Sequence, residues 1–363
     1  MDIIALDKLS FASGQPELSA VMKRELEDFC VDEELGFLLS GEGEHLCIRV
    51  KKINISTADV VKRLSERTGV GTSKIGYSGM KDRRGECSQW FSIVLTQQAE
   101  TRVQGIEDES LQILELQRNA RKIRIGCHKS NRFKIRLRDC EGARDAFDQR
   151  LEQIKASGVP NYFGAQRFGR QMSNVSQALS LFAGELDDSG AADSAPQSKL
   201  KHQRFKRGML FSAARSYVFN QLLSRRLQEG SWNRYIAGDV LNLNGSDRCF
   251  TLEEGAEWDL ELSQRLESFD IHITGPMAGL NNPKDRYASS GETADIEDAV
   301  FEQFELLVTG LRHFGLKASR RTLRFLPIAL EWSWLEGGDL SLEFSLYSGS
   351  YATSLLRELC KTD

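Results

Sequence analysis

No apolar run in this sequence approaches the roughly 20 residues that a membrane-spanning helix needs. The opening Met-Asp-Ile-Ile-Ala-Leu-Asp-Lys has no basic stretch followed by an apolar one, so no secretory leader is expected. The seven cysteines, Cys30, Cys47, Cys87, Cys127, Cys140, Cys249 and Cys360, are scattered, odd in number and contain no C-x-x-C pair. That pattern argues against a disulfide frame or a thiolate zinc site, and for free thiols in a reducing cytoplasm. The five histidines lack metal-ligand spacing. There is no GxGxxG fingerprint, no P-loop and no internal repeat. Nothing in the sequence asks for a metal or an organic cofactor.

What is present is an ordinary globular composition, 40% hydrophobic and 28% charged, in a chain of 363 residues. That length is long for one core, so two domains are expected. The net charge of −4 argues against bulk affinity for nucleic acid, but its distribution is uneven. From Arg118 to Arg138 there are nine Lys or Arg residues and no acid. Such a run would repel itself without a polyanion to meet.

Gly76-Tyr77-Ser78-Gly79-Met80-Lys81-Asp82-Arg83-Arg84-Gly85-Glu86-Cys87-Ser88-Gln89 carries three glycines and an acid held between Lys81 and Arg83. Glycine permits positive φ and close backbone approach, while neighbouring cations favour the ionised carboxylate that a nucleophile or base requires. As a pattern alone, the same stretch also describes a surface turn with solvated charges. Ahead of it, Ser56 or Thr57 caps an expected helix with Val60, Val61 and Leu64 inward and Gly69 as its stop. Strands are expected at Leu46–Val50, Ile113–Leu116 and Lys122–Ile125. His45 precedes the first of these and is given no chemistry. In Asn131–Arg138, alternation sets Phe133, Ile135 and Leu137 on one face and Arg132, Lys134, Arg136 and Arg138 on the other. A helix follows over 145–155.

Val159-Pro160-Asn161-Tyr162-Phe163-Gly164-Ala165-Gln166-Arg167-Phe168-Gly169 is a dense motif of aromatics, glycines and proline. Positions 184–198 read as a flexible insertion, and Lys199–Arg207 as a second basic cluster. Helices over 212–228 and 296–311 and two alternating strands, Leu330–Leu335 and Leu340–Tyr347, complete the reading. The last stretch is Gly349-Ser350-Tyr351-Ala352-Thr353, closing on Arg357-Glu358-Leu359.

In order, these stretches resemble the motifs of the TruD family of tRNA pseudouridine synthases. The loop resembles G-x-x-G-x-K-D-x-x-A-x-T-x-Q, with Gly85 and Cys87 in place of the usual Ala and Thr. Asn131 and Phe133 match N-x-F, 159–169 matches V-P-N-Y-F-G-x-Q-R-F-G, and Tyr351 stands where many relatives have Phe. The resemblance implies an α+β fold: a pseudouridine-synthase-like catalytic domain with a mixed, mainly antiparallel sheet and flanking helices (1–156 and 326–363). An α/β TRUD domain is inserted at 157–325, in a V-shaped arrangement. It implies isomerisation of uridine at position 13, in the D arm of tRNA, by a cytoplasmic monomer without cofactor. Asp82 would be the catalytic carboxylate, attacking carbon or first removing a sugar proton. Lys23, Gln89, Asn131, Phe133 and Tyr351 would bind the flipped nucleotide. Lys81, Arg132, Lys134, Arg136, Arg138, Lys201, Arg204, Lys206 and Arg207 would meet the RNA backbone. The alternative is a noncatalytic RNA-binding or RNA-folding protein on the same scaffold, which would have no need of Asp82.

Overall fold

The computed structural model describes residues 3–94, 99–187, 197–253, 255–281 and 287–362. The chain forms two compact units, one of Pro16–Leu151, Pro327–Ala352 and Leu359–Asp363, the other of Met1–Gln15, Glu152–Leu326 and Thr353–Glu358. The chain crosses between the units at 151/152 and 326/327, where the limits read from sequence are 156/157 and 325/326. The two terminal pieces differ, because Met1–Gln15 and Thr353–Glu358 bind each other beside the inserted segment. Arg357 Nη1 donates to Ser10 O at 3.1 Å, Ala12 N donates to Glu358 Oε2 at 2.9 Å, and the Tyr162 hydroxyl donates to Ser10 O at 3.0 Å.

The first unit begins with β1 (Ser19–Met22), β2 (Phe29–Leu35), β3 (His45–Ile53), α1 (Thr57–Thr68), β4 (Gly76–Tyr77) and β5 (Glu86–Val94). It continues with α2 (Ala99–Gln104), β6 (Leu111–Asn119), β7 (His128–Glu141) and α3 (Arg144–Ser157), whose end crosses into the second unit. The second unit holds β8 (Val159–Pro160), α4 (Ser173–Asp187), α5 (Gln197–Gln228), β9 (Leu241–Leu243), β10 (Cys249–Phe250) and α6 (Leu260–Glu267). There follow β11 (Ile271–Met277), α7 (Gly291–Gln303), α8 (Glu305–His313), β12 (Ser319–Thr322) and β13 (Arg324–Phe325). The chain closes with β14 (Ile328–Trp334), β15 (Leu340–Tyr347), α9 (Ala352–Leu359) and β16 (Lys361–Thr362).

Ten strands of the first unit make one sheet, ordered β14-β15-β7-β2-β5-β3-β6, with β1, β16 and β4 off this path. Its pairings are antiparallel except β2 with β5 and β1 with β16. This is the mixed, mainly antiparallel sheet expected. Leu46, Ile48 and Val50 of β3 point into a core with Val60, Val61 and Leu64 of α1. The opposite face is also covered, by Cys47, Trp90 and Ile123. Ser56 takes the cap of α1, accepting from Asp59 N while Asp59 reaches back, and Gly69 ends the helix at φ 72°.

Three local expectations need correction. Positions 122–125 are an irregular turn and not a strand, because Ile123 N bonds the Ser92 hydroxyl and Gly126 N bonds Ser78 O. The helix expected over 296–311 is broken at Phe304, where φ −114° and ψ 32° separate α7 from α8. Helix α4 persists to Asp187, inside the insertion expected from 184; residues 188–196 lie outside the described ones.

Candidate active site

Strand register builds the floor of the site. Lys52 pairs with Cys87, Cys87 with Val31, Val31 with Phe133, and Phe133 with Phe344, giving one row across five strands. All five side chains of such a row leave the same face. Three hydrophobes fill its middle and far end, and the Asp82 loop lies over the Lys52–Cys87 end. Two glycines of this loop are required sterically. At Gly76 a Cβ would stand 2.2 Å from Ile123 O, and at Gly85, with φ 135°, 2.5 Å from Phe29 O.

The loop is then pinned by buried polar groups. Gln89, fully buried, donates to Gly79 O and accepts from the Thr57 hydroxyl at 3.0 Å. Thr57 Oγ1 in turn accepts from Lys81 N at 3.0 Å. With Ser56 serving as the cap, the next hydroxyl is left for this bridge. Lys52, also fully buried, donates to Asp82 O and, at 2.8 Å, to Ile55 O. Burial pushes its ammonium below the ordinary lysine range, against the attraction of Cys87 and Asp82. Lys81 Nζ lies 2.5 Å from Glu33 Oε2, with side chains 7% and 0% exposed. The adjoining His128 is held below the usual imidazole range by burial and by Lys81.

The Asp82 carboxylate stands on this loop. Lys23 Nζ lies 2.7 Å from its Oδ2, and the Asp82 side chain is 28% exposed. Lys23 has φ 58°, rare for a non-glycine residue, and its ammonium rides 3.8 Å above the Phe29 ring. Phe29 meets Phe133 edge-on at 6.1 Å, and Phe133 stacks on Phe344 at 5.3 Å. Lys23, Asp82 and Phe133 are thus linked through one aromatic side chain. Asn131 stands across from Glu33 and Leu346, and its Oδ1 is buried without a hydrogen-bond partner among the described residues. Tyr351, half-buried, follows the turn after β15, whose Ser348 N bonds Lys129 O at 3.1 Å. This brings the closing motif to the Asn131 end of β7.

Several residues read from sequence have other work. Gln89 faces the loop backbone and not an open site, since both ends of its amide are used inside the protein. Lys81, expected on phosphate, is buried against Glu33. Phe133 is 8% exposed, between two other rings. The β7 cations are less uncompensated than the sequence run implies. Arg132 and Lys134 share Glu343, Arg136 pairs with Asp339, and Arg138 pairs with Asp28 and Asp339. Lys206 and Arg207 are exposed, and Arg207 lies 5.9 Å from the Phe314 ring centre. The side chains of Lys201 and Arg204 lie outside the described residues. Lys52 and Thr57, missed as site residues, carry no local signal; only the register identifies Lys52.

The 159–169 motif is explained by packing in the second unit. Asn161 Nδ2 donates to Thr322 O, Asn220 bonds both the N–H and the carbonyl of Phe163, and Arg321 stacks 4.0 Å from the Phe163 ring centre. Its polar groups serve as clasps between segments far apart in sequence.

A family model described as tRNA pseudouridine synthase D (TruD) matches residues 5–188 and 198–359. The chain is 38% identical over 356 residues to the tRNA pseudouridine synthase D of Hydrogenovibrio crunogenus, covering 98% of this chain and 97% of that one. It is 39% identical over 358 residues to that of Aeromonas hydrophila, covering 99% and 95%. A crystal structure of the putative TruD of Methanosarcina mazei superposes with TM-score 0.72 at 22% identity, covering 96% of this chain and 95% of that one, and so shares the fold. With a family model spanning both units and relatives alike over almost their whole length, this chain belongs to the tRNA pseudouridine synthase D (TruD) family.

Proposed function

We propose that this protein isomerises uridine 13, in the D arm of tRNA, to pseudouridine, with Asp82 as the catalytic carboxylate and no cofactor. The observation that carries the reading is the Lys23–Asp82 pair, 2.7 Å apart, in which Lys23 from just past the end of β1 meets the acid of a tightly pinned loop. The reaction breaks the bond from C1′ to N1, turns the uracil and rejoins it through C5. Atoms and electrons balance within the nucleotide, so no redox partner or activated donor enters. Both routes, attack on C1′ or removal of a sugar proton, need an ionised carboxylate beside the ribose. Lys23 meets that carboxylate directly, and Lys52 below the loop donates to the main-chain carbonyl of the same residue.

A uridine in a stacked arm must leave its stack to reach the carboxylate. Asn131 Oδ1, a buried acceptor without a partner among the described residues, suits an N–H on the uracil edge. Tyr351 offers an aromatic face for the base, while Phe133 supports the floor between Phe29 and Phe344. A scaffold that only bound RNA would leave the Lys23–Asp82 pair unexplained. Incubation with unmodified tRNA transcripts and carbodiimide mapping tests the reading. Pseudouridine should form at position 13 with the wild-type protein and not with Asp82→Asn. No product, product elsewhere, or an active Asp82→Asn protein would overturn the corresponding part.

A further inference from the structure

Beside the Asp82 loop stands the turn at 122–127. Ile123 is buried against Cys47 and Trp90, Lys122 Nζ donates to Ser73 O at 3.0 Å, and Cys127 N closes onto Arg124 O at 3.2 Å. Gly126, at φ 86°, donates to Ser78 O at 2.6 Å, four residues before Asp82. This network holds Ile125 at the tip, 77% exposed. Met80, two residues before Asp82, is 66% exposed. One such side chain alone would need no explanation. Here two stand on hydrogen-bonded neighbouring segments, and the same stretch carries unusual charge. Arg121, Arg124 and Lys129 are exposed, and among the described residues none of them is in an ion pair. Arg118, Arg132, Lys134, Arg136 and Arg138 of the same run all are.

We propose that Ile125 and Met80 form an apolar wedge that enters the RNA next to the target nucleotide, while Arg121, Arg124 and Lys129 take the flanking phosphates. The inference rests on the pseudouridylation reading and extends it to how the base is released. Apolar side chains set between bases offset part of the unstacking penalty, and cations beside them register the backbone. A wedge must be stiff to act, and this turn is held at its base by Ile123, Lys122 and Gly126. Its apolar tip faces a partner that offers base faces, and its unpaired cations match that partner's phosphates. A membrane or an apolar protein partner would not account for both features.

The test uses the full-length protein and a tRNA transcript whose modified position has first been mapped. Ile125→Ala combined with Met80→Ala should lower kcat/KM by about tenfold or more, with the melting temperature unchanged because both side chains are exposed. Affinity should fall by less than about threefold, since phosphate contacts dominate binding. Ile125→Met should retain most activity. In an Asp82→Asn background, 2-aminopurine placed beside the target uridine should brighten on binding, and the double alanine variant should abolish that rise. A double variant within twofold of wild-type kcat/KM, or one that keeps the fluorescence rise, would overturn the wedge and leave the catalytic reading standing. A wild-type protein that forms no pseudouridine would overturn both.

Discussion

The Lys52 ammonium donates to the main-chain carbonyl of Asp82 and not to its carboxylate. A fully buried cation is thereby spent on placing the backbone of the acid, while Lys23 meets the side chain. Lys52→Met keeps most of the volume, removes the buried charge and leaves the carbonyls of Asp82 and Ile55 without this donor. It should lower kcat by roughly tenfold or more with little change in KM, since a displaced carboxylate impairs chemistry before binding. The stability difference should depend on pH in a defined sense. Burial lowers the folded pKa of Lys52, so the unfolded chain binds more protons between the folded value and the ordinary lysine value. Wild-type stability relative to Lys52→Met should therefore rise with pH across that window. Denaturant titrations at neutral and alkaline pH, beside steady-state kinetics, check both parts. Unchanged kcat would leave Lys52 a packing residue only.

Phe133 and Tyr351 should respond differently to truncation. Phe133 lies between Phe29 and Phe344 with 8% exposure, so Phe133→Ala should destabilise by about 3–5 kcal/mol. It should also slow turnover, because Phe29, on which the Lys23 ammonium rests, loses a neighbour. Tyr351 is half-buried at a turn. Tyr351→Phe should be nearly silent, and Tyr351→Ala should lower kcat/KM about tenfold with a small change in melting temperature, if the ring stacks on a base. Thermal melts and kinetics on the three variants separate the roles. A silent Tyr351→Ala would remove Tyr351 from the substrate.

What could be read in the sequence was local. The caps of α1, the alternation of β7 and the loop around Asp82 each lie within about a dozen residues and follow from backbone preference and period. What escaped depends on register between distant segments. Lys52 reads as one more lysine after an alternating strand until β3 pairs with β5 and sets it beside Cys87. The cations of β7 read as uncompensated because Glu343 and Asp339 lie some two hundred positions further on, on and at the start of β15. Lys122–Ile125 has strand-like alternation, but bonds to Ser92 and Ser78 make it a turn. The 159–169 motif was legible as a motif and silent about its work, which is to tie segments together in the second unit.

Glu343 supplies a test of the charge argument. It accepts from both Arg132 and Lys134, and these bonds keep its carboxyl below the usual range, so it is ionised at neutral pH. Glu343→Gln removes that charge while leaving both cations, which are 62% and 65% exposed. If β7 runs along phosphates, Glu343→Gln should tighten tRNA binding at low salt. The slope of log affinity against log salt should steepen by up to about one unit. Arg132→Gln with Lys134→Gln should make it shallower by one to two units. Filter binding between 50 and 200 mM salt would measure both. Slopes that do not move would return this face to solvated ion pairs.

The second unit should have a pH limit of its own, set by His272 on β11. The ring is buried beside Phe269, Nε2 lies 3.2 Å from Asn244 Oδ1, and Nδ1 has no partner among the described residues. Burial, and then the Arg324 guanidinium, push its pKa down to about 4, with Asp270 opposing. The folded value thus lies below that of the unfolded chain, about 6.5, so the unfolded chain binds the extra proton between the two. Stability from this group is fully present above about pH 6.5 and is lost as pH falls toward 4, by up to roughly 3 kcal/mol. His272→Gln removes the titration while keeping a polar group of similar reach. Its stability should change less between pH 7 and pH 4.5 than that of the wild type, whatever its absolute value. Urea titrations at those two pH values, followed by tryptophan fluorescence, give the comparison. Equal pH dependence in the two proteins would mean that His272 opens to water before it charges.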